Sequence, residues 1–85
     1  MIKIYLHPQF KKSYKKLPLI IKKKAEIKEK IFRENPFHPS LKTHKLKGKL
    51  KDIWSFSIDN KYRIIFIFDN SDVIFLDIGG HEVYE

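Results

Sequence analysis

Residues 54–78, WSFSIDNKYRIIFIFDNSDVIFLDI, constrain the fold more than any other part of the chain. Trp54, Phe56 and Ile58 alternate with Ser55 and Ser57, and Tyr62, Ile64, Phe66 and Phe68 alternate with Arg63, Ile65 and Ile67. A period of two means extended strands with one buried face. A two-residue turn at Asp59-Asn60 would set Phe56 opposite Arg63 and mix the faces. A three-residue loop, Asp59 to Lys61, sets Ile58 opposite Tyr62 and Ser57 opposite Arg63, and gathers every aromatic side chain on one face. Because a one-residue slip sends each side chain to the wrong side, the second register is predicted. Ser55, Ser57 and Arg63 then share the opposite face. The tight polar turn DNSD leads into a last strand. Its Ile74, Leu76 and Ile78 are assigned to the helix-covered core, and Val73, Phe75 and Asp77 to the face of Arg63. Gly79-Gly80 frees the backbone to turn and present His81.

The rest of the chain supplies what covers that sheet. Ile2, Ile4 and Leu6 alternate with Lys3, Tyr5 and His7, a half-buried strand. Pro8 ends it and suits a first helical turn. Phe10, Tyr14 and Leu17 follow at helical spacing, and Pro18 breaks this helix and opens another. The second helix carries two apolar lines, Ile20–Ile27–Ile31 and Ile21–Ala25–Phe32, with Lys24 and Lys28 between them. Either those lysines lay their stems along apolar surface, or the helix meets two different surfaces. Asn35-Pro36 stops it, and residues 36–40 form a loop. The expected fold is α+β, in the order β-α-α-β-β-β, a helical hairpin packed on a mainly antiparallel twisted sheet, as one domain spanning residues 1–85.

Composition narrows the chemistry. The chain has no cysteine, so disulfides, thiol nucleophiles and cysteine metal sites are excluded. The longest purely apolar run, Ile64 to Phe68, is far too short to span a membrane, and the N-terminus lacks the pattern of a signal peptide. A soluble cytoplasmic protein with no membrane association is expected. The formal net charge is +8, and all but two of the 18 basic residues are lysine. Such a charge favours an anionic partner: RNA, DNA or an acidic protein. In KTHKLKGKLK, residues 42–51, Lys45, Lys47, Lys49 and Lys51 alternate with Leu46, Gly48 and Leu50, so an extended chain puts four ammonium groups on one side. Two uses fit this row: a charged edge that discourages aggregation, and a strip that contacts nucleic-acid phosphates. The four histidines have no metal-ligand spacing, and neither a metal nor a cofactor is expected.

Arg63, His81 and Tyr84 come to the rim of a small sheet in a basic protein. A guanidinium binds phosphate, and an imidazole moves protons near neutral pH, so the combination points to chemistry on nucleic acid. Each also has a plainer use: Arg63 pairing with Asp77, His81 capping the strand, and Tyr84 docking against the sheet. His44 reads more readily as a polar residue facing solvent, and Trp54 as core.

With these residues in place, the chain resembles the RelE/ParE superfamily of bacterial toxins from type II toxin–antitoxin systems. The likeness runs over nearly the whole length, through IKIYLHPQFKKSYKKL, HKLKGKL, WSFSIDNKYRIIFIF and FLDIGGHEVY. HKLKG and the closing block are most similar to the YafQ-type and related RelE branches. The resemblance implies a ribosome-dependent endoribonuclease that cuts mRNA without a metal and inhibits translation, blocked by a cognate antitoxin that folds as it wraps the toxin. It implies that Arg63 holds the scissile phosphate, that His81 is general acid or base, that Tyr84 stacks on a base, and that His44 matches a histidine of the YafQ-type motif. Some RelE relatives carry lysines at the positions of Ser55 and Ser57, and YafQ-type toxins carry a basic residue where this chain has Asp77. Asp77 is therefore assigned to orienting Arg63 or His81. Two alternatives within the superfamily are a ParE-like inhibitor of DNA gyrase and a degenerate homologue that mainly binds its antitoxin.

Overall fold

The computed structural model describes residues 2–47, 52–80 and 83. Strand β1 is Ile4–Leu6, helix α1 Pro8–Lys15, helix α2 Leu19–Glu34, β2 His44–Lys45, β3 Trp54–Ser57, β4 Arg63–Asp69 and β5 Asp72–Gly79, with a 3-10 turn at Pro39–Leu41. The five strands form one sheet in the order β1-β5-β4-β3-β2. β1 runs parallel to β5, and the other neighbours are antiparallel. The expected architecture stands, with the two-residue β2 as an added edge strand.

Local chemistry sets the helix ends. His7, extended, accepts the Gln9 N–H on Nδ1 at 3.0 Å, and Pro8 follows in the first turn, where a missing N–H does no harm. Pro18 separates α1 from α2, and Asn35 closes α2 in an extended conformation. His38 repeats the capping device, accepting the Ser40 N–H at 3.1 Å.

The hairpin has the expected register. Ser57 lies opposite Arg63, Phe56 opposite Ile64 and Trp54 opposite Phe66. The Ile58 N–H donates to the Tyr62 carbonyl at 2.9 Å. α2 docks on the aromatic face through Phe32, which is fully buried. Its ring stacks on Phe56 at 4.7 Å and meets Phe66 and Phe75 edge-on at 5.0 and 5.5 Å. α1 docks through Phe10, whose ring lies 5.4 Å from Phe75.

Two expectations about side-chain direction resolve here. Ile21, Ala25 and Phe32 are the buried line of α2, whereas Ile20 and Ile27 are 64% and 60% exposed. Lys24 and Lys28 stay at the surface between the lines. Lys24 pairs with Asp59 at 3.3 Å, and Lys28 donates to the Ser40 carbonyl at 3.3 Å. The core assignment of β5 needs correction. Val73 and Phe75 are buried with Ile78, whereas Ile74 and Leu76 are only half-buried. The register shifts between Ile65 and Phe66: Ile65 faces Asp77 and Phe66 faces Phe75, so Leu76 is an extra residue. Such a bulge resets the alternation, which lets residues on both sides of it reach one core.

The loop after β3 is held by Asp59. One carboxylate oxygen accepts the Lys61 and Tyr62 N–H groups at 2.9 and 2.8 Å. Partial burial opposes its charge. The two backbone donors and the Lys24 ammonium outweigh burial and hold the carboxyl below its ordinary pKa. A lowered native pKa contributes stability that is complete above the unfolded carboxylate pKa and is lost as pH falls through the native value. Asp59→Ala should therefore destabilise the fold by about 1 kcal/mol, or roughly 4–8 °C in Tm for a domain of this size. In thermal melts, the gap between wild type and variant should close as the pH is lowered into the acid range. A gap that widens in acid would show that Asp59 does not act through its charged form.

Candidate catalytic face of the sheet

Both helices cover the aromatic face, so the polar members of the strands collect on the other one. Residues paired across neighbouring strands share a face. One row across that face is Ser57, Arg63 and Gly79, and the next is His44, Ser55, Ile65 and Asp77. Rows lie about 7 Å apart along the strands and neighbouring strands about 4.8 Å apart. By that spacing the Asp77 backbone is about 8 Å from Arg63 and that of His44 about 12 Å away, within reach of long side chains aimed at a common ligand.

Arg63 opens β4 at the hairpin loop. The residue is half-buried, and its Nε is shielded from solvent. Charge interactions there are less damped than in bulk water, which strengthens the hold of a guanidinium on a phosphate oxygen. Ser57 is half-buried beside it, but Ser55 is 1% exposed, so its hydroxyl belongs to the interior. Asp77 accepts the Ile78 N–H on Oδ1 at 2.8 Å. That bond holds the carboxylate close to its own backbone, beside the bulge. His44 is exposed on β2, with Nδ1 3.0 Å from the Lys42 carbonyl. A carbonyl only accepts, so Nδ1 carries hydrogen and Nε2 is left to exchange a proton with solvent or ligand.

The lysine row divides. Lys45 lies opposite Trp54, hence on the aromatic face rather than the face of Arg63, and pairs with Asp52 at 3.3 Å. Lys47 is exposed beyond the end of β2. Lys49, Lys51, His81 and Tyr84 lie outside the described residues. Gly79 still belongs to β5, paired with Arg63, and beyond it the Val83 N–H donates to the Gly80 carbonyl at 3.2 Å. The fold thus brings Arg63, Ser57, Ser55, Asp77 and His44 to one face and leaves Lys45 on the other. Trp54 is half-buried against the core, its ring edge-on to Phe37 and Phe68 at 5.6 and 5.5 Å. Sequence reasoning missed Asp59, whose Asp-x-Lys-Tyr loop is the signal of a side chain capping its own turn. Among the described residues, no group of three or more His, Asp or Glu side chains is placed to hold a metal, and no helix is long and apolar enough to cross a membrane.

Comparison with known proteins gives this face a context. YafQ from E. coli strain BL21(DE3) has the same fold, with a TM-score of 0.75 and 18% identity, over 98% of this chain and 97% of that one. The YoeB dimer from Staphylococcus aureus superimposes with a TM-score of 0.77 and 23% identity, over 94% and 97%. A copper-bound mutant toxin from Helicobacter pylori does so with a TM-score of 0.74 and 21% identity over the full length of both chains. No curated protein sequence matches the chain. The family described as "Bacterial toxin of type II toxin-antitoxin system, YafQ" matches residues 2–84. The chain therefore belongs to the YafQ family of toxins from bacterial type II toxin–antitoxin systems.

Proposed function

We propose that this toxin is a ribosome-dependent endoribonuclease that cuts mRNA and so stops translation in the cytoplasm. The observation that carries this reading is Arg63: a half-buried guanidinium on the sheet face away from the helices, directly across from Gly79 on β5, which lies two residues short of His81 in sequence. In the proposed reaction a ribose 2′-hydroxyl attacks the adjacent phosphorus. The base takes the hydroxyl proton as the new P–O bond forms, and the acid delivers a proton to the departing 5′-oxygen as the P–O5′ bond breaks. Arg63 neutralises the charge that builds on the phosphoryl oxygens. His81 serves as acid or base, with the Nε2 of His44 as the second proton-exchanging group. Tyr84 stacks on a base to hold the strand open. Asp77 and Ser57 orient the guanidinium, and buried Ser55 supports the strand beneath it. No cofactor or metal takes part.

The partner that restrains this activity is a cognate antitoxin. Support comes from the family and from the YoeB–YefM toxin–antitoxin complexes of Staphylococcus aureus, which share the fold with a TM-score of 0.76 at 22% identity. Expression of the toxin without an antitoxin should arrest growth through protein synthesis. Pulse labelling with amino acids and with thymidine tests this. Incorporation of amino acids should fall first, with mRNA fragmented. Early loss of DNA synthesis over intact mRNA would instead mark a gyrase inhibitor.

Lys47, Lys49 and Lys51 are assigned to RNA phosphates, not base edges; Lys45, opposite Trp54 and paired with Asp52, is left out of that assignment. Replacing Lys47 and Lys49 by alanine should weaken binding to all RNA sequences alike. It should also reduce the slope of log K against log salt by about 0.7 for each phosphate that is no longer neutralised. An unchanged slope in fluorescence titrations would reduce the row to a solvated edge.

A further inference from the structure

The loop that delivers Arg63 to the sheet is fastened by one side chain. Asp59 Oδ1 accepts the Lys61 and Tyr62 N–H groups at 2.9 and 2.8 Å, and Oδ2 lies 3.3 Å from the Lys24 ammonium on α2. The backbone closes the same loop from within: the Ile58 and Asp59 N–H groups donate to the Tyr62 carbonyl at 2.9 and 3.3 Å. Tyr62 is thus held at its N–H by Asp59, at its carbonyl by Ile58 and Asp59, and by its packing against the core. Arg63 is the next residue and opens β4.

A guanidinium stands at the end of a long side chain, so a small change in backbone direction at Arg63 becomes a large one at the charge. The cross-strand neighbours, Ser57 and Gly79, have little bulk to steer it. A preorganised donor stabilises a transition state only while it stays aimed at the charge that develops there. Without the carboxylate, the Lys61 and Tyr62 N–H groups would turn to water, and residues 59–61 would be free to take other turns. The loop would still close, but Arg63 would leave it in several directions.

We propose that Asp59 is a positioning residue for catalysis: its bonds to the Lys61 and Tyr62 amides set how Arg63 leaves the loop, and so where the guanidinium meets the scissile phosphate. Lys24 keeps the carboxylate turned toward the loop. The inference rests on the ribonuclease reading, and its test has one arm that needs no cleavage. The chain has two arginines, Arg33 and Arg63, so an NMR spectrum of arginine Nε–H groups in the whole toxin holds two signals, and Arg63→Ala identifies them. Arg33 donates from Nε to Glu29 at 2.7 Å and serves as an internal control. The Arg63 Nε is shielded from solvent. Asp59→Ala should shift its signal and speed its hydrogen exchange about tenfold or more, leaving Arg33 unmoved. In the kinetic arm, run where every variant is folded, Asp59→Ala should lower kcat about tenfold to a hundredfold with KM for the mRNA-loaded ribosome unchanged. Asp59→Asn keeps an oxygen for both amides, and Lys24→Met leaves both amide bonds in place, so each should stay within about threefold of wild type. Added to Arg63→Ala, Asp59→Ala should cost less than about twofold more, because both act through one group. A toxin that cuts no mRNA would fail the ribonuclease reading, while the Arg63 signal would still report whether Asp59 places the guanidinium. The proposal is overturned if Asp59→Ala leaves that signal and its exchange unchanged, if it costs as much on Arg63→Ala as on wild type, or if Asp59→Asn is as slow as Asp59→Ala.

Discussion

Replacing Arg63 with alanine should lower mRNA cleavage on ribosomes about a hundredfold to a thousandfold, by the measure of removing one preorganised donor to a developing oxyanion. The loss should be the same at every pH used, because a guanidinium stays charged throughout the working range. Arg63→Lys should recover only part of the rate. An ammonium supplies the charge, but not the planar fork that holds two phosphoryl oxygens. Arg63 begins β4, opposite Ser57 and Gly79 on the sheet face away from the helices, so the alanine variant should fold and still bind antitoxin. A folded Arg63→Ala toxin that cleaves at the wild-type rate would remove Arg63 from the site and leave it a residue of the sheet.

His81→Ala should reduce the rate about a hundredfold to ten-thousandfold, the usual range for losing a general acid or base. Unlike the Arg63 effect, this one should depend on pH. The loss is greatest near the optimum, and one limb of the pH–rate profile flattens because proton transfer at that residue no longer limits it. His81→Gln keeps the size and some hydrogen bonding but exchanges no proton at these pH values, so it should behave like the alanine variant. If His81→Ala cuts at nearly the wild-type rate with an unchanged profile, the acid or base must be sought at His44, whose Nδ1 lies against the Lys42 carbonyl and leaves Nε2 for the task.

The register of the β3–β4 hairpin was legible because, of the two loops that the turn residues allow, only the three-residue one puts Trp54, Phe56, Tyr62, Ile64 and Phe66 on a common face, and burying aromatic surface dominates the energetics. The bulge at Leu76 was not. The sequence Val73 to Ile78 alternates without interruption, and nothing local marks an extra residue; the shift appears only where β4 and β5 pair. The two apolar lines of α2 were visible, but which one the sheet would cover depended on Phe32 fitting among Phe56, Phe66 and Phe75, a tertiary property. Arg63 stood out as a charge inside an apolar strand, and the face it shares with Ser57, Ser55 and Asp77 followed from the register. Which face the row containing Lys45 would take was not legible, because it depends on β2 pairing so that His44, not Lys45, lies across from Ser55. Alternation shows that neighbours point to opposite sides. It does not show to which side either one points.

The cleavage chemistry can be read from its products, by adding purified toxin to ribosomes that carry a defined mRNA and identifying both ends of every fragment chemically. Attack by the neighbouring 2′-hydroxyl leaves a 2′,3′-cyclic phosphate on one fragment and a 5′-hydroxyl on the other. Those two ends are expected at cuts within the ribosomal A site, and they should disappear with Arg63→Ala. Fragments bearing a 5′-phosphate, or mRNA that stays whole under a folded, antitoxin-free toxin, would refute the proposed reaction.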